Sequence, residues 1–399
     1  MARSIVLIAV ATLAAGGTIA RAQQRPPPPK PPTLTELETR ARQDSLDPEA
    51  HFRLAQRYYA INKLDDEERE LRATIAVDPR YAPAYLWLGD LPFDRRPKLW
   101  QEDRKGKVPE ALRAAVEESY RLWRQAFLID PMVDFRVLGT KPPDEGMVVV
   151  PEYGRYTTEY MLLLGLGAFG AARYELAYGA FKAWVERAYP NQPRDSLPDF
   201  LFWYRGLSAA HQRAYNIGIA DFQVLLERSL KAEQADTLLP FQLRTNDYRY
   251  VLAVLHQMWG KPADAMRLFQ ESIANDLGLY MAHVRLAQMY REYKMWDKAI
   301  EEGRRAIETN PDDVTSVLEL GVILADAGRS AEAETTLGQA AAANPRDPRP
   351  WYQLGLVRQQ LAKAAEARDA LSRFVAIAPA TRYERQVADA KQRLAALGP

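Results

Sequence analysis

The residues able to do chemistry are few and dispersed. Gly165-Leu-Gly-Ala-Phe-Gly170 is a literal G-x-G-x-x-G. Between a strand and a helix, such glycines let a backbone approach a dinucleotide pyrophosphate, and a second strand ending in an acidic residue completes the site. Met161 to Leu164 could pass as the first strand, but Pro190 to Pro198 is a proline-rich loop where the second belongs. The four histidines, His51, His211, His256 and His283, are scattered and none lies in an H-E-x-x-H. None has a histidine or carboxylate at metal-ligand spacing along the chain, so core or groove positions are expected for them. Cysteine is absent, which removes thiolate catalysis, disulfides, Cys-based zinc sites and lipid attachment to cysteine. There is no G-x-S-x-G, no phosphate loop ending in Gly-Lys-Ser/Thr and no kinase-like set. Carboxylates are abundant, as on solvated helix faces, and nothing singles out a catalytic pair. The expectation is a non-enzyme with no catalytic residue, no cofactor and no metal.

The elements that would carry these residues repeat. Leu252-Ala253, Leu286-Ala287, Leu320-Gly321 and Leu354-Gly355 are each 34 residues apart. Ala265, Ala299, Ala333 and Ala367 keep the same spacing, as do Phe269, Gly303, Leu337 and Leu371. Each unit closes near Leu277, Pro311, Pro345 or Pro379. A large apolar residue followed by a small one belongs to a first helix, and the small one lets a neighbouring backbone come close. The alanine 13 residues after the Leu does the same in a second helix. A tight turn lies between them, at Asn62, Gly260 and Gly328, residue types that tolerate a left-handed backbone. Units end at Asp78-Pro79, Asp130-Pro131, Asn310-Pro311, Asn344-Pro345 and Ala378-Pro379, because the residue before a proline is pushed out of helical geometry. This register accounts for Gly165 as the small residue of a first helix and Gly170 as part of a turn. One helix pair cannot bury its own apolar face, whereas stacked neighbours can.

These residues resemble the tetratricopeptide repeat family, tightly in the C-terminal third and more loosely in the middle and N-terminal parts. The resemblance implies an all-α protein: an α-solenoid of stacked helix–turn–helix repeats, a right-handed superhelix with a C-terminal capping helix. It also implies a protein or peptide partner held in a concave groove lined by the first helix of each unit. Carried over by position, the groove residues are Phe52, Gln56, Tyr59, Tyr250, Gln257, Val284, Gln288, Arg291, Tyr352, Leu356 and Gln359. Chaperone-binding members clamp a terminal carboxylate with Lys and Asn at these places. Here Phe52, Val284 and Leu318 stand where that Lys would be, so an extended chain or a helix suits the groove better. Two other readings stay open: an envelope enzyme or enzyme accessory with its site in the inserted loops, and a purely structural subunit of a secretion or envelope complex.

Bulk properties fit this. Of 399 residues, 47% are hydrophobic and 26% charged, which is globular. With 53 basic against 52 acidic residues there is no global field to favour nucleic acid. Met1-Ala-Arg-Ser4 and the apolar run from Ile5 to Ala15 precede Ala20-Arg-Ala22, the pattern of a signal peptide cleaved before Gln23. An exported protein of the periplasm or cell envelope is expected. The rival is an uncleaved anchor, the one way in which a membrane would enter, although Ser4 to Ala20 is slightly short for a span. Residues 23–44 hold Arg25-Pro-Pro-Pro-Pro-Lys-Pro-Pro32, a stiff spacer or a ligand for an aromatic groove, and then a helix start. Residues 45–131 read as degenerate repeats, with Glu67 where helix two usually has a small residue and with an inserted loop at 92–109. Residues 132–156 form an irregular connector, 157–235 aromatic-rich helical repeats, 236–379 regular repeats and 380–399 the cap, whose Tyr383, Val387, Ala390, Leu394 and Leu397 make one stripe.

Overall fold

In a computed structural model, described over residues 32–133, 156–170, 172–237 and 243–398, the 34-residue spacing becomes a row of helix pairs. Helix α1 (Leu34–Gln43) leads into α2 (Pro48–Ala60) and α3 (Leu64–Val77). The second pair is α4 (Ala82–Arg95) and α6 (Glu110–Ile129), with α5 (Leu99–Arg104) inserted between them. Then come α7 (Tyr156–Gly170) with α8 (Tyr174–Ala188), and α9 (Asp199–His211) with α10 (Tyr215–Gln234). Four regular pairs follow: α11 (Thr245–Met258) with α12 (Pro262–Asn275), α13 (Tyr280–Glu292) with α14 (Trp296–Thr309), α15 (Val314–Asp326) with α16 (Ser330–Ala343), and α17 (Pro348–Gln360) with α18 (Ala364–Ile377). Helix α19 (Ala380–Ala396) ends the row. Among the described residues there is no strand, and no helix is long and apolar enough to cross a membrane. The architecture is an all-α solenoid of stacked helix–turn–helix units. The signal-peptide expectation and most of the 132–156 connector fall outside the described residues.

Small residues set how closely each pair packs. A Cβ on Gly89 would lie 2.6 Å from the Trp123 ring, one on Gly165 2.7 Å from Phe181, and one on Gly321 2.7 Å from Leu337. A large side chain of the second helix thus seats on the bare backbone of the first, at the same repeat position in each half. Ala265, Ala299, Ala333 and Ala367 are fully buried at the reciprocal crossing. The turns share one geometry, with positive φ at Asn62, Ala172, Arg213, Gly260, Lys294, Gly328 and Ala362. In each, the next N–H reaches back to a helix carbonyl, as Lys261 N–H does to His256 at 2.9 Å. Four of these turns use Ala, Arg or Lys and so lack the glycine or asparagine signal. The seventh helix ends at Gly170 and the left-handed residue of its turn is Ala172, which makes the G-x-G-x-x-G a helix end and no nucleotide loop.

Two expectations change. Pro92 does not begin a loop: α4 runs through it to Arg95, and α5 sits in the insert with Leu99 buried in the core and Tyr120 donating to Asp103. Helix α19 packs its stripe against Leu371 and Phe374 of α18, but it also reaches α17, where Trp351 and Tyr352 join the same cluster. It occupies the place of a further first helix, and a break at Tyr383 (φ −119°, ψ 27°) fits it there.

Candidate functional site

Over α11 and α13 the concave face of the regular repeats is covered by the end of α6. Tyr250 is fully buried, and its hydroxyl donates to the Leu128 carbonyl at 2.6 Å. The Arg285 guanidinium donates to the Tyr250 hydroxyl at 3.0 Å, to Gln257 at 3.3 Å and to the Ile129 carbonyl at 3.2 Å. These carbonyls end α6, where four backbone acceptors lack partners within the helix, and a cation there meets the negative end of the helix dipole. Alongside, Gln125 donates to Tyr280 at 2.7 Å, and Arg124 pairs with Asp247 at 3.0 Å and Asp276 at 3.2 Å. The His211 ring, stacked on Tyr174, bonds the Met132 carbonyl at 3.2 Å. One turn earlier in the row, Arg80 pairs with Asp313 at 2.8 Å, and Arg382 of α19 with Asp78 at 2.9 Å. The solenoid curls until its first and last units touch.

The expected groove positions therefore divide. Tyr250, Gln257 and Val284 are not open to a partner, because Tyr250 and Val284 are buried and Gln257 holds Arg285 beneath the end of α6. Tyr352 donates to Asp389 at 2.8 Å and Gln359 accepts from Arg393 at 2.9 Å, so α19 occupies that stretch. Arg291 is tied to Asp326 at 2.5 Å. Gln288 and Leu356 are half-buried. A continuous groove is therefore interrupted at Tyr250 and Gln257 by the end of α6 and at Tyr352 and Gln359 by α19.

Phe52, Gln56 and Tyr59 meet different surroundings. They project from α2 across a cavity of about 280 Å³ whose other walls are Pro83, Leu86, Trp87, Asp90 and Asp94 of α4, with Val133 and Gly170 at the rim. The rings form a cluster, with Trp87 5.6 Å from Phe52 and 5.3 Å from Tyr59, both edge-on. At the floor lies Glu67 of α3, 1% exposed. Its Oε2 has no hydrogen-bond partner among the described residues. Burial, and after it the carboxylates of Asp94 and Asp90, push its pKa up to about 8. Arg95 opposes this but points outward, to Asp65 and Glu68 at 2.8 Å each.

Comparison with known proteins gives one family. Residues 291–361 match the tetratricopeptide repeat. That is the stretch from the end of α13 to the end of α17, within the four regular pairs. No curated protein matches the chain. Among solved structures, the chain is similar to MamA protein at 18% identity (49% of this chain, 94% of the other, TM-score 0.36). It is similar to yeast Tom70 at 14% identity (91% and 92%, TM-score 0.41). A third is the C-terminal part of a TPR repeat-containing protein from Cytophaga hutchinsonii, at 12% identity (61% and 95%, TM-score 0.43).

Two polar pairs escaped the sequence reading. His51 meets Glu70 at 2.7 Å, and in the tetratricopeptide stretch's neighbouring pair His283 meets Glu302 at 2.6 Å. Both join the fourth residue of a first helix to the seventh of a second helix, a separation of 19 residues. The bond to Glu70 holds the His51 pKa above the ordinary imidazole range, against burial. A search of the sequence for His and Glu 19 apart at that register would have found both. They tie helix to helix and converge on no ion: among the described residues, no cluster of three or more such groups could hold a metal.

Proposed function

We propose that the protein is an exported helical-repeat scaffold that holds a protein or peptide partner in the cleft between α2 and α4. Its role on this reading is the assembly or maintenance of a cell-envelope complex. The observation that carries the reading is the contrast on one surface: the concave face is occupied by its own chain over α11 and α13, while Phe52, Gln56, Tyr59 and Trp87 border a cavity. Aromatic and amide side chains around such a cavity suit an extended segment. Export is supported by the basic start, the apolar run and Ala20-Arg21-Ala22. The proposal includes no catalytic residue, no cofactor and no nucleic-acid contact.

A photo-crosslinking residue at Gln56, used in living cells of the source, tests the partner. A discrete adduct with one protein is expected there, and no adduct from the same residue placed at Gln257. Absence of any adduct at Gln56, or equal adducts at both, overturns the reading. Sequencing the protein's N-terminus tests export: Gln23 is expected, and a start at Met1 or Ala2 contradicts it.

A further inference from the structure

We infer that the cavity between α2 and α4 receives the basic side chain, arginine or lysine, of an extended partner segment. The inference rests on the scaffold reading and adds the chemistry of what is held. Three carboxyl groups, Glu67, Asp90 and Asp94, line the cavity, and no lysine or arginine stands among its described lining residues. Asp90 accepts from the Trp123 indole at 3.0 Å, which fixes it on the wall. An acidic cluster alone would carry little. The second observation is Glu67, whose unpartnered Oε2 is buried at the cavity floor. A buried polar atom without a partner is costly unless something supplies the missing donor.

A cation with N–H donors supplies it. Among the described residues the three carboxyl groups do not converge as a metal site does. An organic cation also uses the rest of the lining. Phe52, Tyr59 and Trp87 offer aromatic surface to an aliphatic stem and to the charge at its tip. The volume, about 280 Å³, has room for one long side chain. Gln56 at the edge can hydrogen-bond the backbone that carries it.

Glu67 sits where a repeat of this type ordinarily has a small residue, so the acid is a departure from the packing rule at the place where the cavity forms. With its pKa near 8, raised by burial and by Asp94 and Asp90 and opposed by Arg95, Glu67 is mostly protonated at neutral pH in the empty site. A bound cation reverses that balance, so binding releases a proton.

The test uses the full mature chain and two peptides, acetyl-Gly-Gly-Arg-Gly-Gly-amide and the same peptide with neutral citrulline, followed by calorimetry in two buffers of different ionisation heat. The arginine peptide is expected to bind at least ~10-fold more tightly than the citrulline one, with proton release near pH 7 that disappears near pH 9. Glu67→Gln, which keeps the shape without the charge, should weaken the arginine peptide ~10-fold and abolish proton release while the helical content persists and the melt moves only upward. Asp94→Asn should weaken it less. Equal binding of the two peptides, no binding of either, or unchanged affinity and proton release in Glu67→Gln overturns the inference. The Gln56 adduct separates it from the scaffold reading. An adduct whose cross-linked segment lacks Arg and Lys keeps the scaffold and ends the cation site. Arginine-peptide binding without any cellular adduct does the reverse.

Discussion

Phe52 on α2 and Tyr250 on α11 hold the same repeat position, an aromatic residue on the concave side of a first helix. Phe52, itself only 7% exposed, borders a cavity beside Trp87, whereas Tyr250 is sealed completely beneath the end of α6 and donates to the Leu128 carbonyl. The difference lies in what the chain supplies to each place. At α11 and α13 the missing partners are donors for helix-end carbonyls, and Tyr250 and Arg285 provide them. At α2 and α4 the group left without a partner is the Glu67 carboxyl, and the described chain provides none. A concave repeat surface is thus available for binding only where its polar groups are not already satisfied from within.

The comparison breaks most visibly at Tyr250. Tyr250→Ala should cost ~3–5 kcal/mol, as for other large buried aromatics, and Tyr250→Phe ~1–3 kcal/mol through the orphaned carbonyl and guanidinium. Tyr59→Ala, at an exposed position, should stay within ~0.5 kcal/mol. Chemical denaturation measures all three. Equal losses at Tyr250 and Tyr59 would mean that the face of α11 is as open as that of α2.

Next in size is a pH effect confined to the N-terminal half. Glu67 has a folded pKa of about 8 against an ordinary 4.5, so its stability contribution is full below 4.5 and is lost as pH rises through 8. The His51 pKa is also raised, so its contribution too is present below the ordinary imidazole value and fades as pH climbs past the folded one. Glu67→Gln should therefore gain on the parent as pH rises from about 5 to 8, by an order of magnitude of 2–5 kcal/mol (~1.4 kcal/mol per pKa unit). Hydrogen exchange should show the gain in α2 to α4 and not in α13 to α16. A gain independent of pH would show that Glu67 is ionised in the folded protein.

The packing rule should hold in both halves alike. Gly89→Ala drives a methyl into the Trp123 ring and Gly321→Val drives a larger group into Leu337, each costing ~1–3 kcal/mol by thermal melting. A loss in one half only would mean that the helix crossings differ. The smallest effect concerns the turns. Ala362 has φ 58°, and Ala362→Gly should gain ~0.5–1 kcal/mol, strain relief exceeding the added freedom of the unfolded chain. Asn62→Gly, from a residue that already tolerates this region, should gain less.

Much of the fold was legible because its signals are local. Leu320-Gly321, Ala333 and Leu337 state a helix crossing within one unit, and Gly328 states the turn. Lys294 and Ala362 make the same turn without announcing it, since the hydrogen bond from the next N–H back to the helix holds the backbone there whatever the side chain. Pro92 misled in the other direction: α4 carries it in its last turn, where little helix remains to be disrupted. Of the candidate cavity's lining, the repeat position named Phe52, Gln56 and Tyr59. Trp87, Asp90 and Asp94 were not, because sequence spacing does not say which first helices face an unfilled space.

The sequence by itself determined the helix pairs, their order and the seats of their small residues. These depend on contacts within a unit or between adjacent units, such as Gly321 against Leu337, and each 34-residue unit repeats the same solution. Only the tertiary structure decided which part of the concave face stays open. Arg80 meets Asp313, and Arg285 meets Ile129, across 233 and 156 residues respectively. Such contacts depend on the curvature summed over every intervening pair, and small rotations at each interface add up to where the chain meets itself. No residue in the sequence encodes that sum, so the burial of Tyr250 and the place of Glu67 on a cavity wall had to be seen in three dimensions.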